Sequence, residues 1–230
     1  MISIVVPVLN EEECVSGFCR HLSLLDGEYE LVVVDGGSSD GTGTAFERCR
    51  PWFPHRMVLL ETLPGRGRQM NAGAQTATGE IFLFLHIDCR IPPDSLDAVE
   101  EAMAQQGVIG GGFRHAFMAS DLLLSATSSV ANRMAHRFGV FFGDFGIFID
   151  RNVFFSIGGY DELPFLEDVE FTKKARRHGM LVQINRTIRV SPRRYVRKGR
   201  FRLSAIYVVA LLLNLAGIRP WSLKRYIVDK

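Results

Sequence analysis

Nowhere in these 230 residues is there a GxxxxGK[S/T] loop, and no GxGxxG follows the first apolar run. The first absence excludes P-loop phosphotransfer, and the second argues against a dinucleotide fold. The stretch after the first run, Val8-Leu9-Asn10-Glu11, also lacks the Gly-rich, basic loop that an NTP-dependent nucleotidyltransferase needs. Cysteine is scarce. Cys14, Cys19, Cys49 and Cys89 form no CxxC pair and no zinc spacing, so free thiols in a reducing compartment are expected. Met1 leads straight into apolar residues without a basic n-region, which gives no sign of a signal peptide; cytoplasmic residence is the expectation. The longest apolar run, roughly Leu203 to Ile218, is broken by Asn214 and is short for a membrane span. Acids are almost missing from the last quarter of the chain. Residues 171–230 hold sixteen Lys and Arg against one acid, Asp229, while residues 1–170 hold eleven against twenty-four. The formal net charge of +2 therefore hides an acidic body and a basic tail.

What is present is enough apolar content, 47%, to build a sizeable core. The expected division is a domain over residues 1–192 and a basic, apolar helical tail over 193–230. Ser3 to Val8 and Tyr29 to Val34 read as buried strands, each followed by a helix, the first with Asn10 as its cap. Further strands are expected at Met57–Glu61, Val108–Phe117, Phe141–Ile149 and Leu181–Val190, with helices between most of them. Alternating strands and helices predict an α/β fold with a mostly parallel sheet.

The strand that organises this pattern is IFLFLHID, Ile81 to Asp88. Its apolar run stops at Leu85, and His86, Asp88 and Arg90 follow. Parallel sheets bind ligands beyond the carboxyl ends of their strands, so His86 and Asp88 are candidate metal ligands. Asp35 ends the second strand, where a carboxylate can accept a ring N–H from a nucleotide base; Gly36 and Gly37 allow close backbone approach. An Asx turn is the plainer reading of DGGSSDG. Arg66 and Arg68 flank Gly67 before a helix and could meet a diphosphate, or form a solvated basic turn. Glu167-Asp168 before a helix could include a general base, or simply complement the helix N-terminus.

Six segments, VVPVLNEE, VVVDGGSSDGT, GRGRQMNAGA, FLFLHID, GDFGIF and FLEDVEF, stand in an order that resembles the family 2 glycosyltransferases. The closest likeness is to small bacterial members with LHxD in place of DxD. The resemblance covers residues 3 to about 173 and implies a GT-A fold, Rossmann-like, with helices flanking the central sheet. It implies that Pro7, Val8, Glu11, Asp35 and Gly36 bind the nucleoside of a UDP- or GDP-sugar. Arg66, Arg68 and Asn71 fall on the donor side as well. Asp88, joined by His86 where the family has the first Asp of DxD, would bind Mg²⁺ or Mn²⁺ on the diphosphate. Gly143 and Asp144 would line the sugar or acceptor wall. Asp168, or Glu167 beside it, would deprotonate the acceptor hydroxyl, with inversion at the sugar carbon.

Two other readings remain: a non-catalytic nucleotide-sugar-binding scaffold of the same fold, and a sugar nucleotidyltransferase. Nucleic acid is not an expected partner. In the tail, Leu203, Ile206, Tyr207, Ala210, Leu211, Asn214 and Leu215 fall on one helical face, but the opposite side is apolar too. Such a helix is buried in its own protein, in a homodimer, or at a membrane surface. The preceding Arg193, Arg194, Arg197, Lys198, Arg200 and Arg202 favour anionic lipid. Residues 193–226 are accordingly expected to make peripheral contact with the inner membrane face and present a lipid-linked acceptor.

Overall fold

The computed structural model describes residues 1–215 and 218. Strands β1 (Ile2–Val8) and β2 (Tyr29–Asp35) are buried at every position, as expected of β-branched runs covered on both faces. Helices α1 (Glu12–Leu22) and α2 (Thr42–Cys49) follow them. Next come β3 (Arg56–Glu61), α3 (Arg66–Thr76) and β4 (Ile81–Phe84). A two-residue strand β5 (Cys89–Arg90), helix α4 (Ser95–Met103), β6 (Val108–Phe117) and α5 (Leu122–Phe138) lead to β7 (Ile147–Asp150). The chain closes with α6 (Arg151–Ser156), α7 (Glu167–Ala175), β8 (Met180–Val190), α8 (Arg193–Lys198) and α9 (Arg200–Leu215).

Among the described residues the strands form one sheet in the order β3-β2-β1-β4-β7-β6-β8-β5. The first four are mutually parallel, and β6 runs parallel to β8. β7 is antiparallel to both neighbours, and β5 is antiparallel to β8. The mostly parallel α/β expectation holds. Strand alternation divides the core between the two faces. Ile2, Ile4, Val6 and Leu83 pack with Val15 and Phe18 of α1, Phe46 of α2 and Val99 of α4. Val5, Phe82 and Phe84 face Met70 of α3, Phe154 of α6 and Phe171 of α7.

Three local expectations change. Asn10 does not cap α1; Glu11 holds that position, without a side-chain hydrogen bond. Asn10 instead adopts φ 54°, a left-handed conformation that Asn tolerates. Its N–H donates to Ser38 Oγ (2.9 Å) and its Oδ1 accepts from the Ser39 N–H (2.8 Å), tying the β1 exit to the β2 exit. Gly143 to Phe145 is a 3₁₀ turn, and the strand begins only at Ile147. The organising strand stops at Phe84, so His86 and Asp88 lie on the irregular segment beyond it.

The tail packs on its own chain. Ala210 is buried, and Ile206 and Tyr207 pack with Val140, Phe165, Leu166 and Val169. Asn214 Nδ2 donates to Glu170 Oε1 (2.8 Å), and Lys173 donates to Asn214 Oδ1. Phe201, Val208 and Val209 on the outer side are exposed. Among the described residues no helix is long and apolar enough to cross a membrane. Residues 216, 217 and 219–226 of the expected membrane-contact segment, and the side chains of Leu211 and Leu215, lie outside the described residues.

Candidate active site

Strand order reverses at β1, which has β2 on one side and β4 on the other. A crevice opens beyond the carboxyl ends at such a point. Pro7 and Val8 end β1 at its floor, paired in register with Val34 and Asp35. Asp35 is buried, and its Oδ1 accepts from the Ser38 N–H (2.8 Å) and Ser38 Oγ (2.7 Å). That is the Asx turn of the plainer reading; Oδ2 is left beside Gly43. Gly36 donates its N–H to Val8 O (2.9 Å). Gln69, which sequence reasoning passed over, lies directly against Gly36, where an added Cβ would stand 3.1 Å from its amide. Buried Gln69 Nε2 donates to both Val8 O (2.9 Å) and Val34 O (2.8 Å), fastening β1 and β2 at the crevice floor. A buried glutamine on α3 was the available signal, since such an amide must find partners.

Around Asp88 the groups are charged. Glu11 Oε1 and Asp88 Oδ2 both face the guanidinium of Arg193, at 2.5 Å and 3.4 Å. Glu11 Oε2 is buried without a hydrogen-bond partner. Burial, with Arg66 nearby, pushes His86 down to about pH 4, so its imidazole is neutral and can ligate. Among the described residues no group of three or more His, Cys, Asp or Glu converges as a metal cage. Asp88 fits a divalent ion that draws its remaining ligands from a diphosphate and water, which is how Mg²⁺ is usually held, and the neutral imidazole of His86 as a further ligand would favour Mn²⁺.

Across the crevice, Glu167 and Asp168 open α7 rather than precede it. Leu166 before them has φ 59°, a left-handed conformation costing a residue with a Cβ about 1–2 kcal/mol. Its side chain is buried beside Ala210 of α9, so packing against the tail holds the turn that aims the two acids. Asp168 Oδ1 accepts from the Val169 N–H (2.7 Å), and Oδ2 accepts from the Gly143 N–H. Burial and the neighbouring Glu167 push the Asp168 carboxyl up to about 7, against the pull of these two N–H groups and Arg66. Arg66 lies 3.6 Å from Glu167 Oε1; Glu167, Asp168 and Asp88 together hold it firmly cationic against its burial. Gly143 sits tightly between the two sides. A Cβ there would lie 2.7 Å from His86 Nε2 and 3.3 Å from Asp168 Oδ2.

Asp144 pairs with His115 on β6 (3.2 Å to Nε2), whose Nδ1 meets Ser128 Oγ of α5 at 2.9 Å. His115 holds the Asp144 carboxyl below its usual range despite the cost of burial. Nothing in the pattern of β6 marked His115. Two expected residues turn elsewhere. Arg68 pairs with exposed Glu162 (2.5 Å). Asn71 spends its whole amide on the Tyr160 backbone, donating to its O and accepting from its N–H, both at 2.8 Å. Both residues hold the 158–165 connection against α3. The structure thus brings Glu11, Arg66, His86, Asp88, Gly143, Asp144, Glu167 and Asp168 into one cluster, places Asp35 at the neighbouring end of β2, and turns Arg68 and Asn71 to the 158–165 connection.

The fold is that of the GT-A glycosyltransferases. The mannosyltransferase of Pyrobaculum calidifontis in complex with GDP-Man and Mn²⁺ superposes with a TM-score of 0.68 at 21% identity, over 81% of this chain and 56% of that one. Glucosyl-3-phosphoglycerate synthase of Mycobacterium tuberculosis, in complex with Mn²⁺, UDP and glucosyl-3-phosphoglycerate, gives 0.61 at 22% identity, over 95% and 80%. The sequence profile of Glycosyl transferase family 2 matches residues 3–159. The chain belongs to that family. Among curated relatives, the undecaprenyl-phosphate 4-deoxy-4-formamido-L-arabinose transferase of Aeromonas hydrophila is 26% identical over 152 residues, 64% of this chain and 47% of that protein. The chain spans about half the length of the curated relatives it matches.

Proposed function

We propose that the protein transfers a sugar from a nucleoside-diphosphate sugar to an acceptor hydroxyl, with inversion at the sugar carbon. The observation that carries this reading is the clustering of His86, Asp88, Arg66 and the partly buried Asp168 beyond the carboxyl ends of β1 and β4, with Asp35 at the neighbouring end of β2. Asp35 and Glu11 bind the nucleoside side. Asp88 and His86 would hold Mg²⁺ or Mn²⁺, which would supply Lewis-acid stabilisation of the departing diphosphate. Arg66 adds a fixed cation on the same side. Asp168 accepts the acceptor proton as its oxygen attacks the sugar carbon from the face opposite the leaving group. The solved relatives in complex with GDP-Man and with UDP, each with Mn²⁺, support this class of donor. A thermal-shift series with UDP, GDP and TDP, with and without Mn²⁺, tests it. One nucleotide should stand out, by roughly 2.7 kcal/mol at a hundredfold excess over its Kd. No shift with any of them overturns the donor reading.

Two substitutions follow from the geometry. Asp35→Ala should weaken nucleotide binding equally with and without Mn²⁺, because its carboxylate faces the base and not the diphosphate; a loss seen only with Mn²⁺ contradicts that role. Gly143→Ala should lower the melting temperature by a few degrees and cut transfer by up to about a hundredfold, since its Cβ presses on both His86 and Asp168. Full activity in that variant means the two sides of the crevice need not approach this closely.

The acceptor we assign is lipid-linked, presented at a membrane surface by the tail. Support comes from the undecaprenyl-phosphate relative, from exposed Phe201, Val208, Val209 and Leu122, and from the basic run 193–202 beside them. Each Lys or Arg near anionic lipid gains about 1 kcal/mol. The protein should sediment with anionic liposomes at low salt and be released at high salt. Protein that stays in the supernatant at low salt points to a soluble acceptor.

A further inference from the structure

Arg193, counted above only as one of the basic run, turns inward and pairs with Glu11 and Asp88. Its place follows from the sheet. β8 pairs antiparallel with β5, setting Val190 opposite Cys89, and the Ser191 N–H donates to Asp88 O (3.1 Å). The chain leaving β8 must therefore pass Asp88, and α8 begins there with Arg193. The guanidinium spans two carboxylates carried on the exits of adjacent strands: NH2 lies 2.5 Å from Glu11 Oε1 and Nε lies 3.4 Å from Asp88 Oδ2. NH1 donates to Cys14 Sγ (3.2 Å). Glu11 and Asp88 are both mostly buried, so their mutual repulsion is poorly screened without a cation between them.

We propose that Arg193, bridging Glu11 and Asp88, is a second built-in cation beside Arg66 and makes divalent-metal binding conditional on the nucleotide diphosphate. The proposal rests on the donor reading above. Glu11, Asp88 and Arg193 together carry one net negative charge. A divalent ion added alone turns that to a net positive charge, with the ion crowding a guanidinium that already holds the same Asp88 oxygen. Among the described residues no cage of three or more acidic, His or Cys groups waits to receive it. A diphosphate arriving with the ion brings at least two negative charges and several hard oxygens. Arg193 then exchanges its carboxylates for phosphate oxygens, which its planar fork fits well. Metal and nucleotide therefore bind together with positive coupling, and Arg193 carries much of it.

The test is a binding cycle that needs no turnover. Wild type, Arg193→Gln and Arg193→Lys are titrated with Mn²⁺ alone, with UDP and GDP alone, and with Mn²⁺ at saturating nucleotide. Wild type should bind Mn²⁺ weakly alone and far better with its nucleotide. In Arg193→Gln, Mn²⁺ alone should bind on the order of tenfold tighter, nucleotide alone should bind more weakly, and the coupling should shrink by about the same factor. Arg193→Lys, which keeps the charge and loses the fork, should bind Mn²⁺ alone as weakly as wild type and nucleotide alone more weakly, which separates the charge effect from a purely structural one. Equal Mn²⁺ affinity in wild type and Arg193→Gln, with nucleotide binding intact in wild type, overturns this proposal and leaves the donor reading standing. Wild type that binds neither nucleotide overturns the donor reading and the proposal with it.

Discussion

Asp168→Asn is expected to bind donor as wild type does and to lose transfer by about 10²–10⁴-fold, the contribution of a positioned base. Asn keeps the shape, but its single amide oxygen can accept from only one of the Gly143 and Val169 N–H groups that anchor Asp168, and it takes no proton. The wild-type pH profile should carry the same signature. Burial and Glu167 raise the Asp168 carboxyl to about 7, so kcat/KM should fall about tenfold per pH unit below that value and level off above it. A base poised there matters for a hydroxyl acceptor; a phosphate acceptor arrives ionised and gains little from it. Stability adds an independent sign. A folded-state pKa above the unfolded value means the ionised carboxylate destabilises the fold, fully so above about pH 7 and not at all below the unfolded pKa. Asp168→Asn should accordingly melt higher than wild type at pH 8 and close to it at pH 4. Near wild-type transfer by the Asn variant would move the role of base to Glu167.

Asp88→Ala should remove the Mn²⁺-dependent part of nucleotide binding while the fold persists, because Asp88 lies on the irregular segment beyond β4 and is not part of the strand. Metal-free nucleotide binding should survive, since the change also releases Arg193 from its partner across the crevice. His86→Ala should cost less or alter metal preference, as it removes a neutral ligand and leaves the carboxylate in place. Unchanged Mn²⁺-linked affinity in the Asp88→Ala protein would falsify the metal assignment. Silence in both variants would describe a metal-independent enzyme.

Local chemistry explains why the frame was readable from the sequence. β1, β2 and the core of β4 are short apolar runs that can only be buried strands, and the polar residues at their ends mark the edge of the crevice. Asp35, His86 and Asp88 could therefore be singled out from position, whereas Asp168 was named as base only through the family resemblance. The helical face of the tail was equally plain, and Ile206, Tyr207 and Ala210 do face the body.

The direction in which a side chain turns is set by partners that the sequence keeps far apart. Arg66 and Arg68 look alike on either side of Gly67, but one joins Glu167 and the other turns to Glu162. Asn71 looks like a donor-side amide until Tyr160 takes both its ends. His115 gains meaning only when the 3₁₀ turn brings Asp144 to it. Arg193 reads as one more basic residue of the tail until β5 pairs with β8 and delivers it between Glu11 and Asp88. The sequence by itself determined the strands, their buried faces and the acids at their ends, because hydrophobic period and residue type are local properties. The tertiary structure alone decided which charges meet, because pairing energies depend on distance and burial that only long-range strand order can supply.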